Sequence, residues 1–454
     1  MSRGRPETIA AIATAPGCGG IGIVRISGPD ALYIAQTIAH TVTPPRVATL
    51  ASFHAADGAM IDSGIVIFFP GPRSFTSDDV IELQGHGGPV VLDMLLERVL
   101  GLGARLARPG EFSERAYLNG KIDLAQAEAI ADLIDSASRE AARGAARSMN
   151  GEFSTHIRML VEEVTRLRIF VEACIDFPEE DIEMLAASDT RMRIEDLISR
   201  IEQTEAIARS GRLLRDGMNV LLAGKPNAGK SSLLNALSGS DAAIVSAIPG
   251  TTRDLVRERI LIDGIPVHIT DTAGLRESPD DIEREGIRRA LAEAESTDLL
   301  LLVIDSSGPD DPDTVLRDHF SDLGAKLPRV CIVLNKCDLS GMTVGPMPDD
   351  GAPRVAVSAL TGQGIDALRV VLSKAAGFIP PEGGGFSARR RHLDALERAR
   401  GSLVTARRNL LEHRGPELMA EDLRLAQGQL GEITGQLSSD ELLGRIFSSF
   451  CIGK

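Results

Sequence analysis

Residues 218–237 read MNVLLAGKPNAGKSSLLNAL. An apolar run ends at Ala223, a glycine-rich turn follows, and beyond Lys230 the leucines recur at helical spacing. The turn Gly224-Lys225-Pro226-Asn227-Ala228-Gly229-Lys230-Ser231 matches G-x-x-x-x-G-K-[ST], and it lies between a buried strand and a helix start, where that pattern has a physical meaning. Glycines let backbone N–H groups close around phosphate oxygens, a lysine places a point charge on the β- and γ-phosphates, and a serine hydroxyl is a hard donor for Mg2+. The stretch predicts a nucleotide-binding α/β unit in which Asn227, Ala228, Gly229, Lys230, Ser231 and Ser232 face the phosphates. Lys230 is also a catalytic candidate, and Ser231 a magnesium ligand. The Asn227 amide either caps a turn or ligates a monovalent cation.

Four more apolar runs follow, at 265–271 (IPVHITD), 298–305 (DLLLLVID), 329–336 (RVCIVLNK) and 354–360 (RVAVSAL), with helical stretches between them. Such spacing is a parallel-sheet signature. Asp271-Thr272-Ala273-Gly274 ends one run, so that the Asp271 carboxylate reaches the magnesium shell and the Gly274 amide faces the γ-phosphate. Asn335-Lys336-Cys337-Asp338 ends another, and a carboxylate there accepts both the ring N–H and the exocyclic amine of guanine, a donor pair that adenine lacks. The nucleotide is therefore GTP, with Ser358 and Ala359 closing over the base. Gly250-Thr251-Thr252-Arg253-Asp254 is the expected switch segment, in which Thr252 completes the magnesium shell only when the γ-phosphate is present, and Ser246-Ala247-Ile248-Pro249 before it are further GTP-binding candidates. Leu275 follows the DTAG run where many GTPases carry a water-orienting glutamine. Glu283, Arg253 and Arg276 are candidates for that work, although DDIEREGIRR by pattern alone reads as a solvated helix face.

A chain of 454 residues predicts about three domains. Lys and Arg total 49 against 64 Asp and Glu, and the net charge of −15 excludes a uniformly basic nucleic-acid coat. Five cysteines without a CxxC pair exclude a disulfide framework or zinc cluster. No apolar run approaches the roughly 18 residues of a membrane span, and the N-terminus has no signal-type apolar segment, so the expected setting is cytoplasmic with no membrane partner. Residues 1–118 alternate β-rich runs with Gly/Pro punctuation and predict a small α/β domain. Residues 119–215 read as the first half of a helical domain, opening on an Asp123/Gln126 capping box and continuing as one long helical region. Phe153, Ile157, Leu160, Val164, Leu167 and Val171 make its buried stripe. Residues 216–378 are the nucleotide domain. After the linker-like IPPEGGG, 379–454 returns to helix, with Leu423, Ala426, Leu430 and Ile433 on one face and a Ser438/Glu441 capping box near its end. The topology is an α/β domain inserted between two halves of a helical one. The segment 386–415 holds eight Arg against three acidic residues, a local basic face for nucleic acid or a solvated helix.

ETIAAIATAPGCGGIGIVRISGP (7–29), DDVIELQGHGGP (78–89), RPGEFSERAYLNGKIDLAQAEAIADLI (108–134), IPGTTRD, DTAGLRE and a terminal FCIGK together resemble the MnmE (TrmE) family of tRNA-modification GTPases. The resemblance covers residues 7–454 and implies a homodimer formed through N-terminal domains similar to a tetrahydrofolate-binding fold. It also implies a flavoprotein partner, MnmG (GidA), and installation of an aminomethyl or carboxymethylaminomethyl group at carbon 5 of a tRNA wobble uridine. The implied carbon source is 5-formyl- or methylene-tetrahydrofolate, contacted by Arg25, Glu82, Lys121 and Lys454. It implies K+ held by Asn227, Ser246, Ile248 and Thr251, and Glu283 orienting the attacking water, which reverses the pattern-based preference. Cys451 is a catalytic candidate, since the Gly-Lys ending shows no packing need. One departure is Cys18 in APGCGG, where the family usually carries Arg. The competing function is a ribosome-assembly GTPase switch without carbon transfer, yet no KH-type GXXG module marks the C-terminal region.

Asp338→Asn is expected to move base preference from guanine toward xanthine nucleotides in a competition binding assay. Unchanged preference removes Asp338 from that role.

Overall fold

The N-terminal strands form one sheet. In chain order they are β1 (Ile9–Ile12), β2 (Gly19–Ser27), β3 (Thr49–His54), β4 (Met60–Phe69), β5 (Val80–Gly87) and β6 (Arg105–Leu106). They lie in the order β3-β4-β5-β2-β1-β6, antiparallel except where β6 runs parallel to β1. Positions along much of β2, β3, β4 and β5 alternate between buried and open. Along β5, Ile81 and Leu83 are buried while Glu82, Gln84 and His86 take the more open positions. Ile81, Leu83, Val24, Ile26 and Phe53 make one core with Ile34 and Ile38 of helix Ala31–Ala39 and Leu92 and Leu95 of helix Pro89–Gly101. Pro89 suits the first turn of its helix, where its missing N–H has no intrahelical partner to lose. Sequence pattern does not mark β1, β3 or helix Ala31–Ala39, whose runs are short.

The computed structural model describes residues 7–176, 188–239, 257–271, 297–320, 329–348, 352–375, 378, 385–412, 414–436, 440–451 and 453. By contacts the chain divides into two units, 1–131 with 430–454, and 132–429. In the first, Leu124, Ala127 and Ala131 pack on Ile446, Phe447 and Phe450, so the C-terminal helix Asp440–Ser448 shares a core with the helix that begins at Leu124. The predicted capping box at that helix is present. The Gln126 N–H donates to Asp123 Oδ1 at 2.9 Å and the Asp123 N–H to Gln126 Oε1 at 3.0 Å. Ser438 lies outside the described residues.

The second unit contains helices Arg139–Met149, Glu152–Asp176 and Ser188–Asp216, where sequence predicted one long helical region. The break comes from the caps. Ser138 Oγ accepts from the Ala141 N–H at 3.1 Å and starts a new helix, and Gly151 takes a left-handed φ of 87° after Met149. The predicted stripe from Phe153 to Val171 is buried as expected, as are Leu423, Ala426, Leu430 and Ile433.

The nucleotide-binding unit is a seven-stranded sheet of β7 (Met218–Ala223), β8 (Arg257–Ile262), β9 (Ile265–Asp271), β10 (Leu299–Asp305), β11 (Arg329–Asn335), β12 (Gly345–Pro346) and β13 (Arg354–Ala356). The order is β12-β13-β11-β10-β7-β9-β8, with β9, β7, β10, β11 and β13 parallel and the two edge strands antiparallel. β10 is buried on both faces from Leu299 to Ile304, which is why it reads as an unbroken apolar run. The β8–β9 turn, Asp263-Gly264, is anchored on helices. Asp263 accepts the Ser373 hydroxyl at 2.7 Å, and a Cβ at Gly264 would lie 2.7 Å from a Glu140 carboxylate oxygen.

In the N-terminal unit Glu111 is 3% exposed and binds Arg105 at 2.7 and 3.0 Å, the Arg108 N–H at 2.8 Å and Arg115 at 3.3 Å. Burial alone would raise its pKa, but Arg105, the Arg108 amide and Arg115 together bring it down to about 2. A folded-state pKa below the unfolded one gives stability that is complete above the ordinary glutamate value of roughly 4.3 and is lost as pH falls toward that of the folded state. The melting temperature is therefore expected to fall between about pH 5 and pH 2. Glu111→Gln should cost about 3 kcal/mol at neutral pH and flatten that acid limb in calorimetry; an unchanged limb assigns the acid transition to another carboxylate.

Candidate functional site

Local backbone geometry explains the phosphate-loop residues. Gly224 has φ 143°, and a Cβ there would stand 2.1 Å from the Val303 carbonyl oxygen on β10. Gly229, at φ 93°, leaves room for the Asn335 amide, which a Cβ would meet at 2.2 Å. Asn227 takes φ 67°, is exposed and sits at the apex of the loop, while Ala228 is buried and its N–H donates to Lys225 O at 3.2 Å. Helix Lys230–Ser238 then starts, exposing Ser231 and Ser232 in its first turn. Lys230 is 7% exposed, and its Nζ donates to the loop carbonyls of Gly224 and Lys225, the latter at 3.0 Å.

The residues expected to recognise the base meet this loop directly. Asn335 Nδ2 donates to Ala228 O at 2.9 Å and its Oδ1 accepts the Ala359 N–H at 3.0 Å, so one buried side chain ties the phosphate loop to the Ser358-Ala359 loop. Asp338, exposed at the rim, accepts the Ser358 hydroxyl at 2.6 Å, and Ser358 accepts in turn from the Thr361 N–H at 3.2 Å. The Cys337 N–H reaches Val357 O at 3.1 Å. Burial pushes the Cys337 thiol above its ordinary value, and Cys331 to about 12, so both are inert packing groups.

Two ion pairs escaped the sequence motifs. Lys336 Nζ binds Asp305 at 2.6 Å and Lys225 Nζ binds Asp310 at 2.6 Å, which fastens the loop after β10 to both the base loop and the phosphate loop. Lys336 and the Ser307 hydroxyl hold the Asp305 carboxyl below its ordinary range. The available signal was positional: charged residues just beyond the C-terminal ends of parallel strands line the crevice of such sheets.

Asp271 ends β9, beside β7 in register with Leu222. Ser246, Ala247, Ile248, Pro249, Gly250, Thr251, Thr252, Thr272, Ala273, Gly274, Glu283 and Lys454 lie outside the described residues.

In the N-terminal unit Arg25 and Glu82 stand opposite each other on β2 and β5. Arg25 binds Glu82 Oε1 at 2.9 Å, its Nη1 reaches the Gly453 carbonyl at 3.4 Å, and its guanidinium lies 5.8 Å from the Phe112 ring centroid. Gln84 donates to Glu82 Oε2 at 3.2 Å. The C-terminal tail thus reaches the same strands. Gly453 has φ 95° with a Cβ position 2.5 Å from Ile12 O, and Cys451 O accepts the Gly110 N–H at 3.3 Å while its thiol side is exposed. Gly453 therefore does have a packing reason, contrary to the sequence expectation. Lys121 follows helix Glu111–Leu118, with Nζ 3.5 Å from Pro72 O.

A phosphate loop, an Asn-Lys-x-Asp loop and a Ser-Ala loop at the C-terminal ends of one mostly parallel sheet define a P-loop GTPase. Residues 8–121 match the model of the GTP-binding protein TrmE N-terminus, and 124–451 that of the MnmE helical domain. The tRNA modification GTPase MnmE of Marinobacter nauticus is 55% identical over 452 residues, covering 99% of each chain. Among solved structures, the G domain of the Thermotoga maritima FeoB iron transporter is 26% identical over 35% of this chain and 98% of its own, with a TM-score of 0.27. A GDP-bound GTP-binding protein of Sulfolobus solfataricus is 19% identical over 48% of this chain and 66% of its own, at a TM-score of 0.25. The chain belongs to the MnmE (TrmE) family of tRNA-modification GTPases.

Proposed function

We propose that this chain is the GTP-hydrolysing component of a cytoplasmic complex that, with the flavoprotein MnmG (GidA), adds an aminomethyl or carboxymethylaminomethyl group to carbon 5 of the wobble uridine of certain tRNAs. The methylene carbon comes from 5-formyl- or methylene-tetrahydrofolate, and the chain acts as a homodimer. Its domains run 1–118, which is tetrahydrofolate-binding-like, then 119–215 and 379–454, which are helical, with the GTPase domain at 216–378 between them. The observation that carries this reading is the Gly453 carbonyl on Arg25, itself paired with Glu82. A C-terminal tail seated on that pair suits a folate site formed with Lys121, Lys454 and the exposed Cys451. A ribosome-assembly switch has no use for it.

On the GTPase side, the hard oxygen donors fit the two cations. Ser231, exposed in the first helical turn, would hold Mg2+ with Thr252, and the Asn227 amide, exposed at a left-handed apex, would hold K+ with Ser246, Ile248 and Thr251. These ions supply positive charge against the charge that develops between the β- and γ-phosphates. Lys230 binds the phosphate oxygens once its two carbonyl bonds are exchanged, and Asp338, held by Ser358, reads the guanine edge. Asp271 reaches the magnesium shell, the Gly274 amide at the end of Thr272-Ala273-Gly274 faces the γ-phosphate, and Glu283 orients the water.

GTP turnover is expected to be faster in potassium than in sodium; equal rates remove Asn227 from a cation site. Mass-spectrometric nucleoside analysis of tRNA from cells lacking the chain should show loss of the 5-aminomethyl-type wobble uridines, restored by the wild-type gene and not by Cys451→Ser. Intact modification rejects the reading in favour of ribosome assembly.

A further inference from the structure

Asp62, on β4, is almost wholly buried, with its side chain 10% exposed, yet it serves a residue that is open to solvent. Its Oδ1 lies 2.7 Å from His86 Nδ1 and accepts the Ser63 N–H at 2.8 Å, while Oδ2 accepts the His86 N–H at 2.7 Å. The His86 side chain is 73% exposed. A Cβ at Gly85 would come within 2.4 Å of Asp62 Oδ2, so glycine before His86 leaves the carboxylate its place. Burial would raise the Asp62 pKa, but the His86 and Ser63 N–H groups and the His86 ring more than compensate and bring it below its ordinary value. An ionised carboxylate only accepts, which makes Nδ1 the donor and leaves Nε2 as the exposed proton-exchanging atom. Two of these bonds hold the backbone N–H groups of Ser63 and His86 and fix the carboxylate in place, and the third, to Nδ1, orients the exposed ring. Strand alternation places His86 on the same face of β5 as Glu82 and Gln84, about 13 Å along the strand from Glu82.

We propose that His86, oriented by Asp62, is the proton-transfer residue of the ligand site that Arg25 and Glu82 mark, with Asp62 as its positioning residue. The proposal rests on the folate reading of that site. A ligand touching both ends of the row is extended, as a pterin with its aminobenzoyl arm is. In the step, a ligand N–H or O–H bond breaks, its electron pair stays on the ligand heteroatom, and the proton joins Nε2. The imidazolium so formed stands beside the Asp62 carboxylate until the reverse transfer returns the proton.

The test uses the full-length chain with its flavoprotein partner, tRNA and 5-formyltetrahydrofolate. His86→Ala, at an exposed position, is expected to keep folate Kd within about threefold, to lower the single-turnover modification rate by about 10²–10⁴-fold, and to recover part of that loss when free imidazole is added. Asp62→Asn should lower the rate less and should not respond to imidazole. A wild-type rate for His86→Ala overturns the proposal. So does a rate loss that follows an equal loss of folate affinity and is not rescued, since it makes His86 a binding or packing residue. Folate binding by Arg25→Ala and Glu82→Ala equal to wild type overturns the site reading itself, whatever His86 does.

Discussion

The side-chain amide of Asn335 is the crosspiece of the nucleotide unit. It donates to Ala228 in the phosphate loop and accepts from Ala359 beyond β13, and both bonds are made in a position only 2% exposed. A buried amide stripped of either partner bears the desolvation cost of an unmet polar group, so the two loops are held at a fixed separation. That separation is possible only because Gly229 has no side chain in the way. β10 and β11 run in register from Leu299 opposite Arg329 to Asp305 opposite Asn335, which brings the Asp305–Lys336 pair and the Asp310–Lys225 pair to the same end of the sheet. The Gly224–Ser231 loop and the loops holding Asp338 and Ser358 are therefore one mechanical assembly.

The N-terminal unit is governed by a different constraint, the seating of the chain end on β1 and β2. Gly453 and Gly110 both approach neighbouring backbone too closely to carry a side chain, and Phe447 and Phe450 bury the helix that leads to the tail. The Arg25–Glu82 pair lies where this tail arrives, and its polar groups are supplied by strands whose other face is core. The acidic overall charge is no obstacle to such a site. What counts is the local balance of one guanidinium, one carboxylate and the groups around them.

Much of this was legible in the residues. The strand–loop–helix at 218–237, the ends of β9 and β11 and the Asp123/Gln126 cap are local patterns, and each appears at the place its residues predict. The helical breaks at Ser138 and Gly151 were less legible, because a single serine cap and a single left-handed glycine compete weakly with a continuous apolar stripe. The two lysine–aspartate braces left only the positional hint of charges beyond the strand ends, and the Asp62–His86 dyad left none, since each joins residues far apart in sequence through contacts made only after the sheets close.

The sequence by itself determined the class of fold, the family and the motifs proposed to hold the nucleotide, because periodicity, glycine placement and motif spacing are properties of short segments. The tertiary structure alone decided that Gly453 meets Arg25 across 428 residues, that Asn335 bridges two loops and that an exposed histidine is steered by a buried aspartate. Those facts depend on strand order, register and burial, which fix distances between side chains that no local pattern relates.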